Sequence, residues 1–134
     1  MKKRILTMVL TLALVVSLAI PVAASSYSKY GTYNGSSGNC DYHAYANCTT
    51  TGWNALTEWS GSSDSYTNYT FRTDVVPYFT TAAGTQKGSL IPGSSAQLVA
   101  SNVRSAYASA MHHIDTYHYV NGSLATTIIS VLAN

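Results

Sequence analysis

The sequence predicts an all-β fold, a small antiparallel β-sandwich or barrel. Three observations carry this. Small or apolar residues alternate with polar ones from Cys40 to Cys48, and one-sided alternation returns from Tyr66 to Val76. Period two is the pattern of a half-buried strand. Asn121-Gly122 separates two further strand-like runs, and this dipeptide tolerates the positive φ angles of a tight hairpin turn. The chain also carries 11 Tyr, and Tyr, Trp and Thr suit a pleated surface.

The chain opens Met1-Lys2-Lys3-Arg4 and continues from Ile5 to Ile20 with only Thr7, Thr11 and Ser17 as polar interruptions. Pro21 and Val22-Ala23-Ala24 follow. A basic start, an apolar stretch and small residues form the layout of a secretory signal peptide. We read 1–24 as a signal helix, removed after Ala24. A spanning helix needs roughly 20 apolar residues, and this run is shorter. The expected location is secreted and extracellular, with membrane contact only through the signal before cleavage. Residues 25–38, rich in Ser, Gly and Tyr, read as a flexible or weakly paired N-terminal arm. The β domain then occupies 39–134.

Composition narrows the partner classes. The whole chain has a formal charge of +2, but Lys2, Lys3 and Arg4 leave with the signal. Lys29, Arg72, Lys87 and Arg104 then face Asp41, Glu58, Asp64, Asp74 and Asp115, for a net −1. No basic patch remains to displace phosphate counterions, so nucleic acid is disfavoured. Aliphatic residues are scarce, yet disorder would call for high net charge and few aromatics. A thin core built on aromatic rings is the expectation.

Element by element, Cys40 to Cys48 is the first strand, and Thr51-Gly52 turns the chain so that Trp53 to Trp59 pairs back. Gly61-Ser62-Ser63-Asp64 reads as a loop. Tyr66 to Val76 is a strand with Thr67, Tyr69, Phe71, Thr73 and Val75 on one side and Arg72 and Asp74 on the other. Pro77 ends it or sets it at an edge. Thr80 to Gly93 is loop-like. Ala96 to Ile114 fits both periods: Val99, Val103, Tyr107, Ala110 and Ile114 recur at helical spacing, and Ser94 with Gln97 offers a capping box. Its serines and Asn102 are mediocre helix formers. Strand is therefore favoured, with an α+β fold carrying a helix near 96–113 as the alternative. Tyr117 to Val120 and Ser123 to Val131 close the fold as a hairpin.

Two cysteines in an exported chain invite a disulfide. An unbroken strand forbids it, because eight extended residues span about 26 Å and bridged Cα atoms lie within about 7 Å. Asp41 to Asn47 contains no Gly or Pro, which favours the strand and separate thiols.

Candidate chemistry is sparse. His112, His113 and His118 cluster around Asp115, and His is the commonest transition-metal ligand. On a regular strand, however, His112 and His113 point to opposite faces, and no zinc spacing is present. His43 with Asp41 and a serine makes a triad only on paper. No nucleophile elbow or carboxylate pair is evident. Neither catalytic residues nor cofactors are expected. The aromatic residues are the broader signal. Tyr42, Tyr45, Trp53, Trp59, Tyr66, Tyr69, Tyr78, Tyr117 and Tyr119 offer amphipathic rings, and Tyr with Ser, Gly and Asn is the chemistry of adaptable binding surfaces.

The Lys-Lys-Arg opening, Val-Ala-Ala, the Tyr/Ser/Thr-rich remainder and the run Tyr117-His118-Tyr119-Val120-Asn121-Gly122 resemble small secreted proteins of Gram-positive bacteria. Some of those are bacteriocin-like β-sandwiches. The chain departs from them in its length and its two Cys. The resemblance implies a β-sandwich, permits an antimicrobial role and assigns no residue a function. The leading expectation is non-enzymatic binding of a cell-wall glycan, a protein or a lipid headgroup through rings on one sheet face. A bacteriocin-like toxin is the runner-up, and a hydrolase comes third.

Overall fold

A computed structural model of the protein describes residues 26–36, 38–61 and 66–134. Residues 1–24, read above as a signal, and most of the Gly61–Asp64 loop lie outside these residues. Within them the regular structure is strand, apart from one 3-10 turn at Tyr66–Asn68. The strands are β1 (Ser26–Gly35), β2 (Gly38–Cys48), β3 (Trp53–Gly61), β4 (Phe71–Thr81), β5 (Gly84–Lys87), β6 (Val99–Arg104), β7 (Met111–Val120) and β8 (Ser123–Leu132). They form two antiparallel four-stranded sheets. Sheet A runs β1-β2-β3-β6 and sheet B runs β5-β4-β7-β8.

Alternation decides what faces the interior. On β2, Cys40, Tyr42, Ala44, Ala46 and Cys48 are buried, as period two requires. They meet Phe71 and Val75 from β4, Ile114 and Val120 from β7, and Ile128 and Val131 from β8. Small residues on sheet A thus face larger ones on sheet B, and the sheets interdigitate. Residues 96–113 hold β6, a loop and the start of β7, with no helix. At the β7–β8 turn, Asn121 has φ 50° and Gly122 has φ 76°, the paired positive angles that select Asn-Gly.

Four segments differ from the sequence expectation. Residues 26–35, read as a loose arm, form β1, which pairs with β2 along its whole length. Its side chains are mostly exposed, so backbone pairing rather than burial defines it. Gly31 is fitted to the pairing, because the Tyr42 hydroxyl lies where a Cβ would sit. Tyr66 to Asn68 is a turn, and the strand starts at Phe71. Pro77 neither ends β4 nor sets it at an edge, since β4 lies between β5 and β7. Val75 turns both backbone groups to Ile91, away from β7, and two residues on the Pro77 carbonyl accepts from Gly88 N–H on that same side. The missing Pro77 N–H therefore costs the β7 ladder nothing. Finally, the loop expected over 80–93 contains β5.

The core carries a polar spine. His118 is fully buried. Its Nδ1 lies 2.8 Å from Thr57 Oγ1 and its Nε2 2.8 Å from Thr116 Oγ1. Thr57 Oγ1 also lies 2.7 Å from Thr73 Oγ1, and Thr73 donates to the Ala100 carbonyl. Asn102 accepts from Trp53 Nε1 at 3.0 Å and donates to the Thr73 and Ile91 carbonyls, both at 3.0 Å. These bonds tie sheet A to sheet B with directional contacts where aliphatic bulk is thin. Burial is the main cause that lowers the His118 pKa from 6.5 to about 4, with Lys29 and His43 adding to it and a Leu56 carbonyl opposing.

No disulfide joins Cys40 to Cys48, which sit at opposite parts of β2 with both side chains buried. Burial pushes the Cys48 thiol up to about 11, and the thiolate is the reactive form. We expect neither thiol to react with iodoacetamide at pH 8 in the folded protein, and both to react in denaturant. Intact mass before and after alkylation reads this out. A rapid gain of label in the native state would contradict the burial.

Candidate functional site

The outer face of sheet B gathers the side chains with most chemistry. Along β4 this face carries Arg72, Asp74, Val76 and Tyr78; along β7 it carries His113, Asp115, Tyr117 and Tyr119, paired across as Arg72–Tyr119, Asp74–Tyr117, Val76–Asp115 and Tyr78–His113. Cross-strand neighbours on one face stand close enough to touch. Tyr78 and His113 stack with ring centres 4.0 Å apart, and the Arg72 guanidinium lies 4.1 Å from the Tyr119 ring centre.

Two buried carboxylates lie on this face. Asp74, 3 % exposed, accepts from Arg72 Nε at 3.1 Å and from Gly93 N–H at 3.0 Å. Asp115, 7 % exposed, accepts from Ser130 N–H at 2.9 Å and stands near Tyr78 on the same face. Burying a carboxylate is costly unless charge-assisted bonds offset it. Here the Asp74 bond sets Arg72 over Tyr119, while Tyr78 is held by its stack on His113. Desolvation and the neighbouring Asp115 raise the Tyr78 pKa. Desolvation lowers that of His113, with His112 adding to it and Asp115 opposing.

A β-bulge completes the face. Tyr78 pairs with His113 and Phe79 with Met111, so His112 is an extra residue in β7. Met111 and Ile114 both face the core, with two half-buried histidines between them. The expectation that His112 and His113 point to opposite faces is therefore wrong. The bulge turns both outward, and their Nδ1 atoms lie 2.6 Å apart. His118, grouped with them in the sequence, sits in the core instead. Among the described residues, no three His, Cys, Asp or Glu side chains converge as a metal-ligand set.

The other sequence candidates scatter. Tyr42, Trp53 and Tyr69 are core residues, 6 %, 2 % and 1 % exposed. Each has a polar end that is satisfied inside: Tyr42 donates to the Ala125 carbonyl, Trp53 to Asn102 and Tyr69 to the Asn39 carbonyl. They are unavailable to a ligand. Trp59 packs against the core edge with Tyr66, the rings 5.9 Å apart. Tyr45 lies on the outer face of sheet A, opposite Leu56. On that face exposed Tyr30 stacks on His43, 4.4 Å between ring centres, and His43 bonds Glu58 at 2.7 Å. Asp41 accepts instead from Thr32, so the paper triad does not assemble. Of the rings proposed for binding, Tyr78, Tyr117 and Tyr119 share the sheet B face. Arg72 and Asp74 are the site residues that the sequence reading left as mere strand polarity; the alternation that places them opposite Tyr119 and Tyr117 was their only signal.

A cleft of about 380 Å³ lies between the β2–β3 turn and the end of β6, lined by Asn47, Thr49, Trp53, Asn54, Arg104 and Ser105 among others. No histidine or carboxylate lines it, whereas sheet B presents a cation, a histidine pair and three rings together. Comparison with protein-family models, curated proteins and solved structures finds no match.

Proposed function

We propose that the protein is a secreted, non-enzymatic binding protein that holds a cell-wall glycan against the outer face of sheet B. The supporting observation is that buried Asp74 holds Arg72 over the Tyr119 ring while Tyr78 stacks on His113, so contact groups on this face are fixed in advance. Fixing contact groups in advance lowers the entropy cost of binding. Sugar rings suit this surface. Their C–H faces pack on aromatic rings, and their hydroxyls accept from Arg72 and hydrogen-bond with the Tyr78 oxygen and the imidazoles of the His pair. Rings are amphipathic and stiff, which makes them efficient contact residues. Tyr117 lies between the Tyr78–His113 and Arg72–Tyr119 rows, so one extended chain of sugars can meet all three.

The experiment is retention on isolated cell walls and on a glycan array. Tyr117→Ala combined with Tyr119→Ala is expected to weaken retention by about tenfold or more, equivalent to about 1.4 kcal/mol. Tyr45→Ala, on the opposite sheet, should leave it unchanged. Equal loss in both variants, or no retention of the parent protein, overturns the reading. Retention on anionic vesicles or on a wall-anchored protein, with walls stripped of that protein inactive, replaces the glycan by those partners.

A further inference from the structure

We infer that His112 and His113 form a binding site for a divalent copper-type ion, with solvent completing the coordination. This goes beyond glycan recognition and stands on a different observation. Adjacent residues on a regular strand cannot share a ligand, because they point to opposite faces. The bulge at β7 removes that bar and brings the two Nδ1 atoms to 2.6 Å. The two rings meet edge-on, 4.9 Å between centres at 75°, with their Nδ1 atoms facing each other.

Donor type and ring spacing favour one metal class. Two nitrogens on a tetrahedral zinc ion, at Zn–N about 2.0 Å, sit about 3.3 Å apart. Two neighbouring positions of a square-planar ion sit about 2.8 Å apart at the same bond length, the geometry of Cu(II) and Ni(II). The second needs the smaller movement of the rings from their hydrogen-bonded spacing, and Cu(II) leads the affinity order for nitrogen donors.

The surroundings fit a cation. Tyr78 stacks on His113 and fixes its ring plane. Asp115 places a carboxylate on the same outer face. A hydrogen bond between two neutral imidazoles needs one Nδ1–H donor and one Nδ1 acceptor. On metal binding the donor's proton passes through solvent to its own Nε2, and both Nδ1 lone pairs become ligands. No net proton is released from the neutral pair. The described residues offer no third His, Cys, Asp or Glu ligand, so the site is open, and sugar hydroxyls or water take the remaining positions.

The test is a Cu(II) titration of untagged protein, followed by paramagnetic resonance and calorimetry. The expected result is one equivalent bound, with coupling to two imidazole nitrogens in the resonance spectrum. His112→Ala and His113→Ala should each weaken Cu(II) at least about tenfold, the loss expected when one of two protein ligands goes. His43→Ala should not, and zinc should bind more weakly than copper. The parent spectrum decides even where a variant folds poorly. No bound copper, one-nitrogen coupling, or binding that survives in the double variant overturns the site and leaves the pair as a hydrogen bond. Wall retention of the metal-free protein is measured separately, so failure here leaves the glycan reading standing.

Discussion

Replacing Asn102 with Leu is expected to remove about 4 kcal/mol of folding stability. Asn102 is 5 % exposed and joins three elements: its Oδ1 accepts from Trp53, and its Nδ2 donates to Thr73 and Ile91 carbonyls. Leu has similar bulk and no polar atom. The change strands the Trp53 donor and the Thr73 carbonyl inside the sandwich, while the Ile91 carbonyl keeps the Val75 N–H, and each stranded group costs about 1–3 kcal/mol. Domains of this size are stable by only about 5–15 kcal/mol. The urea midpoint should therefore fall by between about a quarter and about four-fifths of its parent value, with the slope unchanged. A loss below about 1 kcal/mol would show that water reaches these carbonyls and that the spine is not sealed.

Acid should weaken the fold well before its carboxylates titrate. His118 has an ordinary pKa of 6.5 in the unfolded chain and about 4 when folded. Between these values the unfolded chain binds a proton that the folded one refuses. Stability is thus complete above pH 6.5, falls as pH drops and levels off below about 4, a total of about 3 kcal/mol from this residue. His113, whose pKa is also lowered, acts in the same direction, so the measurement belongs in a His113→Gln background. Urea melts at pH 7.5, 6.5, 5.5 and 5.0 should show the midpoint falling steadily. A flat response over that range would mean that the buried ring accepts its proton without cost.

The parts of the fold that the sequence made legible are those where one face is uniformly small or apolar. Cys40 to Cys48 shows its core side directly, because a one-residue slip would expose every Ala and both thiols. Asn121-Gly122 announces its turn through backbone angles that few residues tolerate. β1 was illegible because nothing on it is buried deeply; its partner is β2's backbone, which leaves no trace in side-chain pattern. Pro77 misled because the side of the strand its nitrogen faces is a tertiary fact. The site was half legible. Tyr117 and Tyr119 share parity and so share a face, but Tyr42, Trp53 and Tyr69 have the same composition and point inward. The histidine pair was hidden by a single inserted residue. Alternation argued in period two fails at a bulge, and the Met111–Ile114 spacing shows where it fails only once both are known to be buried.

The most direct test of the sheet B surface is residue-by-residue amide and side-chain shift mapping with soluble cell-wall oligosaccharides. Shifts should concentrate on Arg72, Tyr78, His113, Tyr117 and Tyr119 and saturate with a single affinity. Shifts concentrated on Tyr30, His43 and Tyr45, across the sandwich on sheet A, or no saturable shifts at any residue, would contradict it.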